Sequence, residues 1–315
     1  MSEQDPAASR GASRGASRGA SRGASSGAAR PERVGIVAYT NVAPLNWGLE
    51  PWPSNGGMAE FVRDVPTVLN AALDKGEIDL TLVSSIEFIR NRHRYKALAD
   101  FSIATLGPVY SVMLFHRPGW IDLRGARIAV TTESATSVEL LRVLLAADGI
   151  EAELVPTRGS LDELLAGADA ALLIGDAALR GAVTHLEPRR SGPGGRPVSG
   201  ASVKDSTLHV TDLGEAWYRL TRLPFTFAVW ASLDDRRPSL QLVERFRDAR
   251  RAGLGRLEEV AAAESRKLSL PPEVVQRYLE NFRYYLEPPD LDGLYAFAKR
   301  STPGFEEHEL RFWPD

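Results

Sequence analysis

The chain has 315 residues, 43% of them hydrophobic and 25% charged, and its formal net charge at pH 7 is −3. It contains no cysteine, which excludes disulfides, thiolate nucleophiles and zinc–thiolate sites, and its five histidines have no metal-binding spacing. No glycine-rich phosphate-binding motif follows a strand, so we expect a protein that uses neither a metal nor another cofactor.

The N-terminal segment, residues 1–32, repeats the unit GASR and contains no apolar run of the kind found in signal peptides. This composition predicts a disordered tail. The first 33 residues carry six arginines and three acidic residues, so the remainder has a net charge of −6, which is not typical of nucleic-acid binding. Because no stretch of 18 apolar residues occurs, we also expect no membrane span and a cytoplasmic location.

Strands and helices alternate from Arg33 onward, as the spacing of apolar, capping and turn residues indicates. The predicted elements are strand 34–39, helix 65–74, strand 78–83, strand 109–116, a turn and strand within 123–132, helix 137–148, a helix after Gly159, strand 170–174, a helix from Gly175, and strands 208–210 and 225–230. Beyond Ser239 the chain is predicted to be helical, with breaks at the proline pairs 271–272 and 288–289.

This alternation predicts an α/β protein with parallel sheets covered by helices. The apolar segments 109–116 and 225–230 read as two crossings between two lobes. One lobe is expected to contain residues 33–112 and 228–315, and the other residues 113–227, with a mobile surface loop near 188–204. A ligand is then expected between the lobes, beyond the carboxyl ends of the strands.

Several strand ends carry the same kind of polar residue. Five of the seven residues from Thr131 to Ser137 have a hydroxyl group, and capping-box spacing occurs twice, at 84–87 and 136–139. Backbone N–H groups at helix starts, supplemented by hydroxyls, can hold carboxylates, although simple helix capping is the alternative. The candidate substrate-binding residues are Ser84, Ser85, Thr132, Ser134, Thr136, Ser137, Gly175 and Asp176.

Two further residues lie at the same expected rim. Asn41 follows the first strand, where an asparagine either forms a turn or contacts a ligand. Ser111 lies inside the apolar segment of the first crossing, so its hydroxyl needs a partner in the backbone or in a ligand. Asp176 is either a general acid or base or the cap of its own helix.

Taken in order, six motifs resemble the MqnA family, the chorismate dehydratases of the futalosine route to menaquinone. The resemblance extends from Arg33 to about Trp230. Two departures are Thr40, where we expect leucine, and Arg222, where glycine is common. The motifs are RVGIVAYTNVAPLNWGL, GEIDLTLVSSIEFIRN, GPVYSVMLF, ESATSVELLR, ADAALLIGDAALR and DLGEAWYRLTRLPFTFAVWA.

The resemblance implies a two-lobed, type II periplasmic-binding-protein-like fold with the ligand cleft between the lobes. It also implies a carbon–oxygen lyase that converts chorismate to 3-[(1-carboxyvinyl)oxy]benzoate and water. Asn41 and Ser111 match catalytic positions at the reacting end of the substrate, while Ser84 and the 134–137 segment match a pocket that receives carboxylates. The sequence offers no obvious base, so we hypothesise that the enolpyruvyl carboxylate of the substrate takes the proton.

Two alternatives remain open on the sequence. The same fold serves solute-binding proteins for small carboxylates, and it serves related enzymes such as dihydroxynaphthoate synthase. In each case the expected partner is a small molecule, with no nucleic acid and no membrane. The sequence makes no prediction of the oligomeric state.

Overall fold

Two mixed β-sheets organise the computed structural model, which describes residues 30–49, 59–185 and 208–314. The predicted tail up to residue 29 and the predicted loop 188–204 lie outside the described residues. The larger sheet contains β1 (Glu32–Val37), β2 (Ala59–Asp64), β3 (Leu80–Ser84), β4 (Tyr95–Thr105), β10 (Phe225–Leu233), β11 (Phe282–Arg283) and β12 (Phe312–Trp313). The smaller sheet contains β5 (Val112–His116), β6 (Arg127–Val130), β7 (Glu153–Pro156), β8 (Ala170–Ile174) and β9 (His209–Asp212).

Helices cover these sheets and follow local capping rules. Helix α2 has Pro66 in its first turn, and α5 has a full capping box between Ser160 and Glu163. Among the described helices, none is both long and apolar enough to cross a bilayer. The helices are α1 (Ala43–Asn46), α2 (Pro66–Asp74), α3 (Ser85–Arg90), α4 (Ala135–Ala147), α5 (Leu161–Gly167), α6 (Gly175–His185), α7 (Leu213–Thr221), α8 (Leu240–Gly255), α9 (Leu257–Leu268), α10 (Pro272–Glu280) and α11 (Pro288–Ser301), with single 3-10 turns at Thr40–Val42, Ile121–Leu123 and Glu307–Glu309.

The strand order corrects the expectation of purely parallel sheets. In the larger sheet the order is β11-β4-β10-β3-β1-β2, with β12 paired to β4, and in the smaller sheet it is β7-β6-β8-β5-β9. Strand β10 runs antiparallel to β3 and β4, and β5 runs antiparallel to β8 and β9. Consecutive parallel strands of one sheet are joined by a crossover connection. Strands β5 and β10 have no such connection, because the strand that precedes each of them belongs to the other sheet. The two crossings therefore add antiparallel strands.

The apolar core shows why the smaller sheet is covered on both faces. Along β5, Val112 and Leu114 belong to the main apolar cluster, which extends across both sheets, while Met113 and Phe115 belong to a second cluster. Alternate residues of β8 divide between the same two clusters. Because side chains alternate across a strand, an unbroken apolar run is what a strand with two buried faces requires.

Both crossings between the sheets contain a non-glycine residue in the left-handed region. Tyr110, before β5, has φ 61°, and Arg222, between α7 and β10, has φ 63°. Glycine adopts this conformation without steric cost, which gives a physical reason for glycine being common at position 222. The predicted strand 109–116 begins only at Val112, so Ser111 lies in the crossing segment and not inside the strand.

The turn that contains Asn41 continues into α1, and α1 packs closely against α8. Gly253 on α8 lies so close to α1 that a Cβ atom there would overlap the carbonyl oxygen of Pro44. Only glycine permits this approach of the two backbones. As a result, the 3-10 turn Thr40–Val42 and α1 lie against the helical layer, at the carboxyl end of β1.

Candidate active site

A cleft of about 510 Å³ lies between the two sheets. Its walls come from the carboxyl ends of the parallel strands β1, β3, β6 and β8, together with α2, the first crossing and the start of β10. This is the place where open α/β sheets bind ligands, and the volume is within the range of small-molecule sites.

Asn41 and Ser111 both line this cleft. The Asn41 side chain comes from the 3-10 turn after β1, and its Oδ1 atom is buried without a hydrogen-bond partner in the described chain. Ser111 is 2% exposed; its hydroxyl lies 3.4 Å from the Val109 carbonyl and is close to the phenol of Tyr278. Burial raises the pKa of Tyr278, so this phenol stays protonated beside Ser111.

Ser84 and Ser85 are neighbours in sequence but have different environments. Ser84 lines the cleft, and its Oγ is buried with no partner in the described chain. It is the N-cap residue of α3 but makes no capping hydrogen bond, so the predicted capping box with Glu87 is wrong. Ser85 is fully buried outside the cleft lining, where its hydroxyl donates to the carbonyl of Thr226 at 2.5 Å.

Most hydroxyl groups of the hydroxyl segment (residues 131–137) already form hydrogen bonds within the protein. Ser134 caps α4 by accepting from the Ser137 N–H at 3.1 Å. Thr136 accepts from the N–H of Ile86 at 2.9 Å, so it caps α3 and not its own helix. The predicted capping box with Glu139 is therefore wrong as well. The cleft is lined by Ser134, Ala135, Thr136 and Ser137, which place the N-terminus of α4 at its wall.

Three predicted residues offer less to a ligand than expected. Thr132 is exposed and outside the lining, and its hydroxyl accepts from Nε of Arg158 at 3.0 Å. Gly175 lines the cleft with φ 57°, but its N–H donates to the Ser111 carbonyl at 2.7 Å. Asp176 is also outside the lining, and it accepts from the N–H of Thr40 at 3.4 Å.

The structure also brings residues to the cleft that the sequence analysis missed. Asn70 on α2 has a buried Oδ1 with no partner in the described chain. Tyr39 lies two residues after the end of β1 and donates to Glu133 Oε2 at 3.3 Å. Both Tyr39 and Glu133 occupy strand ends, so the rule that selected Asn41 and the hydroxyl segment could have found them. Asn70 has no comparable sequence signal, because it lies in the middle of a helix.

The described lining is acidic and contains no lysine or arginine. Its carboxylates are Asp74, Glu87 and Glu133, of which Asp74 pairs with Arg94 and Glu87 lies 3.6 Å from Arg90. Burial, with Glu133 nearby, raises the pKa of Tyr39, and burial near Asp74 raises the pKa of Tyr95 to about 12. The two phenols therefore act as neutral hydrogen-bond donors at ordinary pH. Among the described residues, no cluster of three or more acidic or histidine side chains is arranged to hold a metal ion.

Comparison with known proteins gives the fold and the family. The fold resembles that of the periplasmic aliphatic sulphonate binding protein SsuA from Escherichia coli, with a TM-score of 0.58 at 15% identity over 90% of this chain and 92% of that chain. This confirms the predicted periplasmic-binding-protein-like fold. A family model described as menaquinone biosynthesis matches residues 32–302.

Two relatives in sequence carry the name chorismate dehydratase. The one from Thermus thermophilus is 44% identical over 272 residues, which cover 86% of this chain and 95% of the relative. The one from Campylobacter jejuni is 25% identical over 263 residues, which cover 80% of this chain and 86% of the relative. Together with the family model, these matches show that the chain belongs to the menaquinone biosynthesis family, as its resemblance to MqnA proteins implied.

Proposed function

We propose that this protein is a chorismate dehydratase, a hydro-lyase that converts chorismate to 3-[(1-carboxyvinyl)oxy]benzoate and water. The 44% identity to a chorismate dehydratase supports the choice of reaction. The observation that carries the proposal is the cleft wall itself, where Asn41 Oδ1 and Ser84 Oγ are buried without partners in the described chain. Buried polar atoms are normally hydrogen-bonded, so unpartnered ones at a cleft indicate that a polar ligand completes them.

The reaction suits a site that positions the substrate and stabilises charge. Chorismate has a ring carboxylate, an enolpyruvyl ether with a second carboxylate, and a ring hydroxyl. Loss of a C–H proton places negative charge that can delocalise into the ring carboxylate, and the hydroxyl then leaves as the ring becomes aromatic. The proton and the hydroxide together make the water that is released.

The N-terminus of α4 is the element best suited to hold a carboxylate. Ser134 to Ser137 all line the cleft, and the positive end of the helix dipole points there. The described lining lacks cationic side chains, so helix N–H groups and neutral hydroxyls are what this site offers to a dianion. They stabilise charge best when it develops next to them in a site that excludes water.

In this mechanism Asn41 and Ser111 orient the reacting end of the substrate. The Asn41 amide can bind the ring hydroxyl, and the Ser111 hydroxyl lies near the Val109 carbonyl and the Tyr278 phenol. The cleft has no histidine among its described lining residues, but it does contain Glu133, which the sequence analysis did not consider as a base. Glu133 is engaged by the Tyr39 hydroxyl, so we assign proton removal to the enolpyruvyl carboxylate of the substrate.

The test is to incubate the purified protein with chorismate, without metal or nucleotide, and to follow the proton NMR spectrum. We expect the ring olefin signals to be replaced by those of a meta-substituted benzoate, while the enolpyruvyl methylene signals remain. Unchanged chorismate together with a saturation-transfer signal would overturn the enzyme assignment in favour of a binding protein. The variant Glu133→Gln tests the base: turnover within about fivefold of wild type supports the substrate carboxylate, whereas a loss of about 10³-fold would make Glu133 the base.

A further inference from the structure

The carboxylate of Asp212 binds backbone N–H groups from two distant parts of the chain. It accepts from Glu215 N at 3.1 Å, which is the ordinary capping bond at the start of α7. It also accepts from Val109 N at 3.0 Å on both oxygens and from Tyr110 N at 2.7 Å. Capping α7 does not require these last two donors, which come from the first crossing between the sheets.

The conformation at Tyr110 explains why such a carboxylate is needed. Tyr110 has φ 61°, a region that bulky residues occupy only when the surrounding structure holds them there. In this conformation the successive N–H groups of Val109 and Tyr110 converge on one anion, as in other backbone nests. Asp212 is the last residue of β9 and pairs in register with Met113 of β5, so its position relative to the crossing is fixed by the sheet.

Ser111 is the residue immediately after this nest. Its carbonyl accepts from the Gly175 N–H at 2.7 Å, and its hydroxyl contacts the Val109 carbonyl and the phenol of Tyr278. The backbone from 109 to 111 is therefore held by Asp212 on one side and by α6 on the other. Because Ser111 follows Tyr110 directly, the backbone conformation at Tyr110 determines where the Ser111 hydroxyl lies in the cleft.

We propose that Asp212 is a positioning residue for the reaction: it holds the strained 109–111 segment so that Ser111 presents its hydroxyl to the substrate. The assignment rests on the proposed function. Asp212 is outside the cleft lining, so it acts on the substrate only through the backbone that precedes Ser111. The competing explanation is that Asp212 only caps α7, so that it stabilises the fold and has no effect on the reaction.

Two variants of Asp212 separate these explanations. Asp212→Asn keeps the size of the side chain but replaces an accepting oxygen with an NH₂ group, and Asp212→Ser keeps an ordinary helix cap that is too short to reach the crossing. We expect kcat to fall at least about tenfold in both, with KM changed less than about threefold, because a displaced Ser111 affects the transition state more than substrate binding. The control is Ser239→Ala, which removes the cap of α8 and should leave kcat within about twofold.

The strain at Tyr110 allows a second test. Glycine adopts a positive φ without cost. The 109–111 backbone of Tyr110→Gly should therefore depend less on the Asp212 carboxylate to keep its conformation. In a double-mutant cycle we expect Asp212→Asn to reduce kcat by a smaller factor in the Tyr110→Gly background than in the wild-type background. Equal factors in both backgrounds, or wild-type kcat in Asp212→Ser, would overturn the proposal.

Hydrogen exchange distinguishes this proposal from the proposed function. If the wild-type protein does not convert chorismate, the dehydratase assignment fails. The role of Asp212 is then tested by the hydrogen-exchange rates of the Val109 and Tyr110 amides. We expect these amides to exchange at least about tenfold faster in Asp212→Ser than in wild type, while the amides of α7 stay protected. Unchanged exchange at both amides would overturn the positioning role.

Discussion

The hydroxyl of Tyr39 donates to Glu133 Oε2 at 3.3 Å and so joins the two walls of the cleft. Tyr39 follows β1 of the larger sheet, and Glu133 lies between β6 and α4 of the smaller sheet. A second link between the walls is deeper, where Ile86 N donates to the buried Thr136 hydroxyl at 2.9 Å. The Tyr39–Glu133 bond thus connects the two walls at the exposed edge of the cleft, and the Ile86–Thr136 bond connects them in the interior.

The first prediction concerns this cross-cleft bond. In Tyr39→Phe the ring remains but the donor is lost, and we expect KM to rise about two- to fivefold with kcat nearly unchanged, since an exposed hydrogen bond contributes roughly 1 kcal/mol or less. The melting temperature should stay within about 2 °C of wild type. Steady-state kinetics and a thermal melt measure both. A kcat loss without a change in KM would show that Tyr39 acts in the chemical step and not by joining the two walls of the cleft.

Asn41 and Asn46 form a matched pair for the second prediction. Both have a buried Oδ1 without a partner in the described chain, but only Asn41 lines the cleft. We expect Asn41→Ala to reduce kcat about 10²-fold, and Asn46→Ala to leave it within about twofold. Neither should lower the free energy of unfolding by more than about 1 kcal/mol, because each removes an unsatisfied buried atom. Comparable kcat in the two variants would withdraw the assignment of Asn41.

The convergence of Asn41, Ser84, Ser111 and the 134–137 segment on one cleft was predictable from sequence. Each lies at or near a strand end or a crossing, and the carboxyl ends of parallel strands meet at one edge of a sheet. The alternation of strands and helices predicted an α/β protein, but it also predicted purely parallel sheets, which is wrong; the periplasmic-binding-protein-like fold was implied by the family resemblance. What sequence could not tell was which hydroxyls point inward: Ser85 and Thr132 have the same chemistry as Ser84 and Thr136 but bond elsewhere.

Contacts between distant segments account for the remaining differences. Strand β4, the longest strand described, was not predicted, because YKALADFSIAT contains alanines and polar residues that do not alternate cleanly. Strands β11 and β12 have two residues each and exist only through pairing with β4. Similarly, Thr136 accepts from the amide of Ile86, 50 residues earlier, and Asp212 binds amides 102 and 103 residues earlier. No local pattern encodes such partners.

The adjacent serines Ser84 and Ser85 provide the third prediction. Ser84→Ala removes a cleft hydroxyl that has no partner in the described chain, so we expect KM for chorismate to rise about tenfold, the effect of one hydrogen bond to a charged ligand. Ser85→Ala leaves the Thr226 carbonyl without its donor and should lower the free energy of unfolding by about 1–3 kcal/mol with KM unchanged. Urea unfolding and kinetics on both variants measure this. The opposite pattern would place Ser85, not Ser84, in the substrate pocket.

The fourth prediction is a pH dependence centred on Asp212. Burial raises the pKa of its carboxyl to about 6, although the backbone N–H groups that it accepts oppose this shift. Two other charged groups lie near the crossing segment. Glu215, like Asp212, raises the pKa of the Tyr110 phenol, whereas Arg277 lowers it. A protonated Asp212 carboxyl accepts hydrogen bonds from the Val109 and Tyr110 amides less well than the carboxylate does. We therefore expect kcat to fall as the pH drops below about 6.

Stability should change in the other direction over the same pH range. The pKa of Asp212 in the folded protein, about 6, lies above the value of roughly 3.9 for an unfolded chain, so the folded state holds the proton more tightly. Its stabilising contribution is therefore complete below about pH 4 and is lost as the pH rises through 6. Relative to the non-titrating Asp212→Asn, the free energy of unfolding of the wild type should increase between pH 7 and pH 4 by about 1–3 kcal/mol. Urea unfolding of both proteins at each pH measures the difference, and a difference independent of pH would show that folding does not raise the pKa of Asp212.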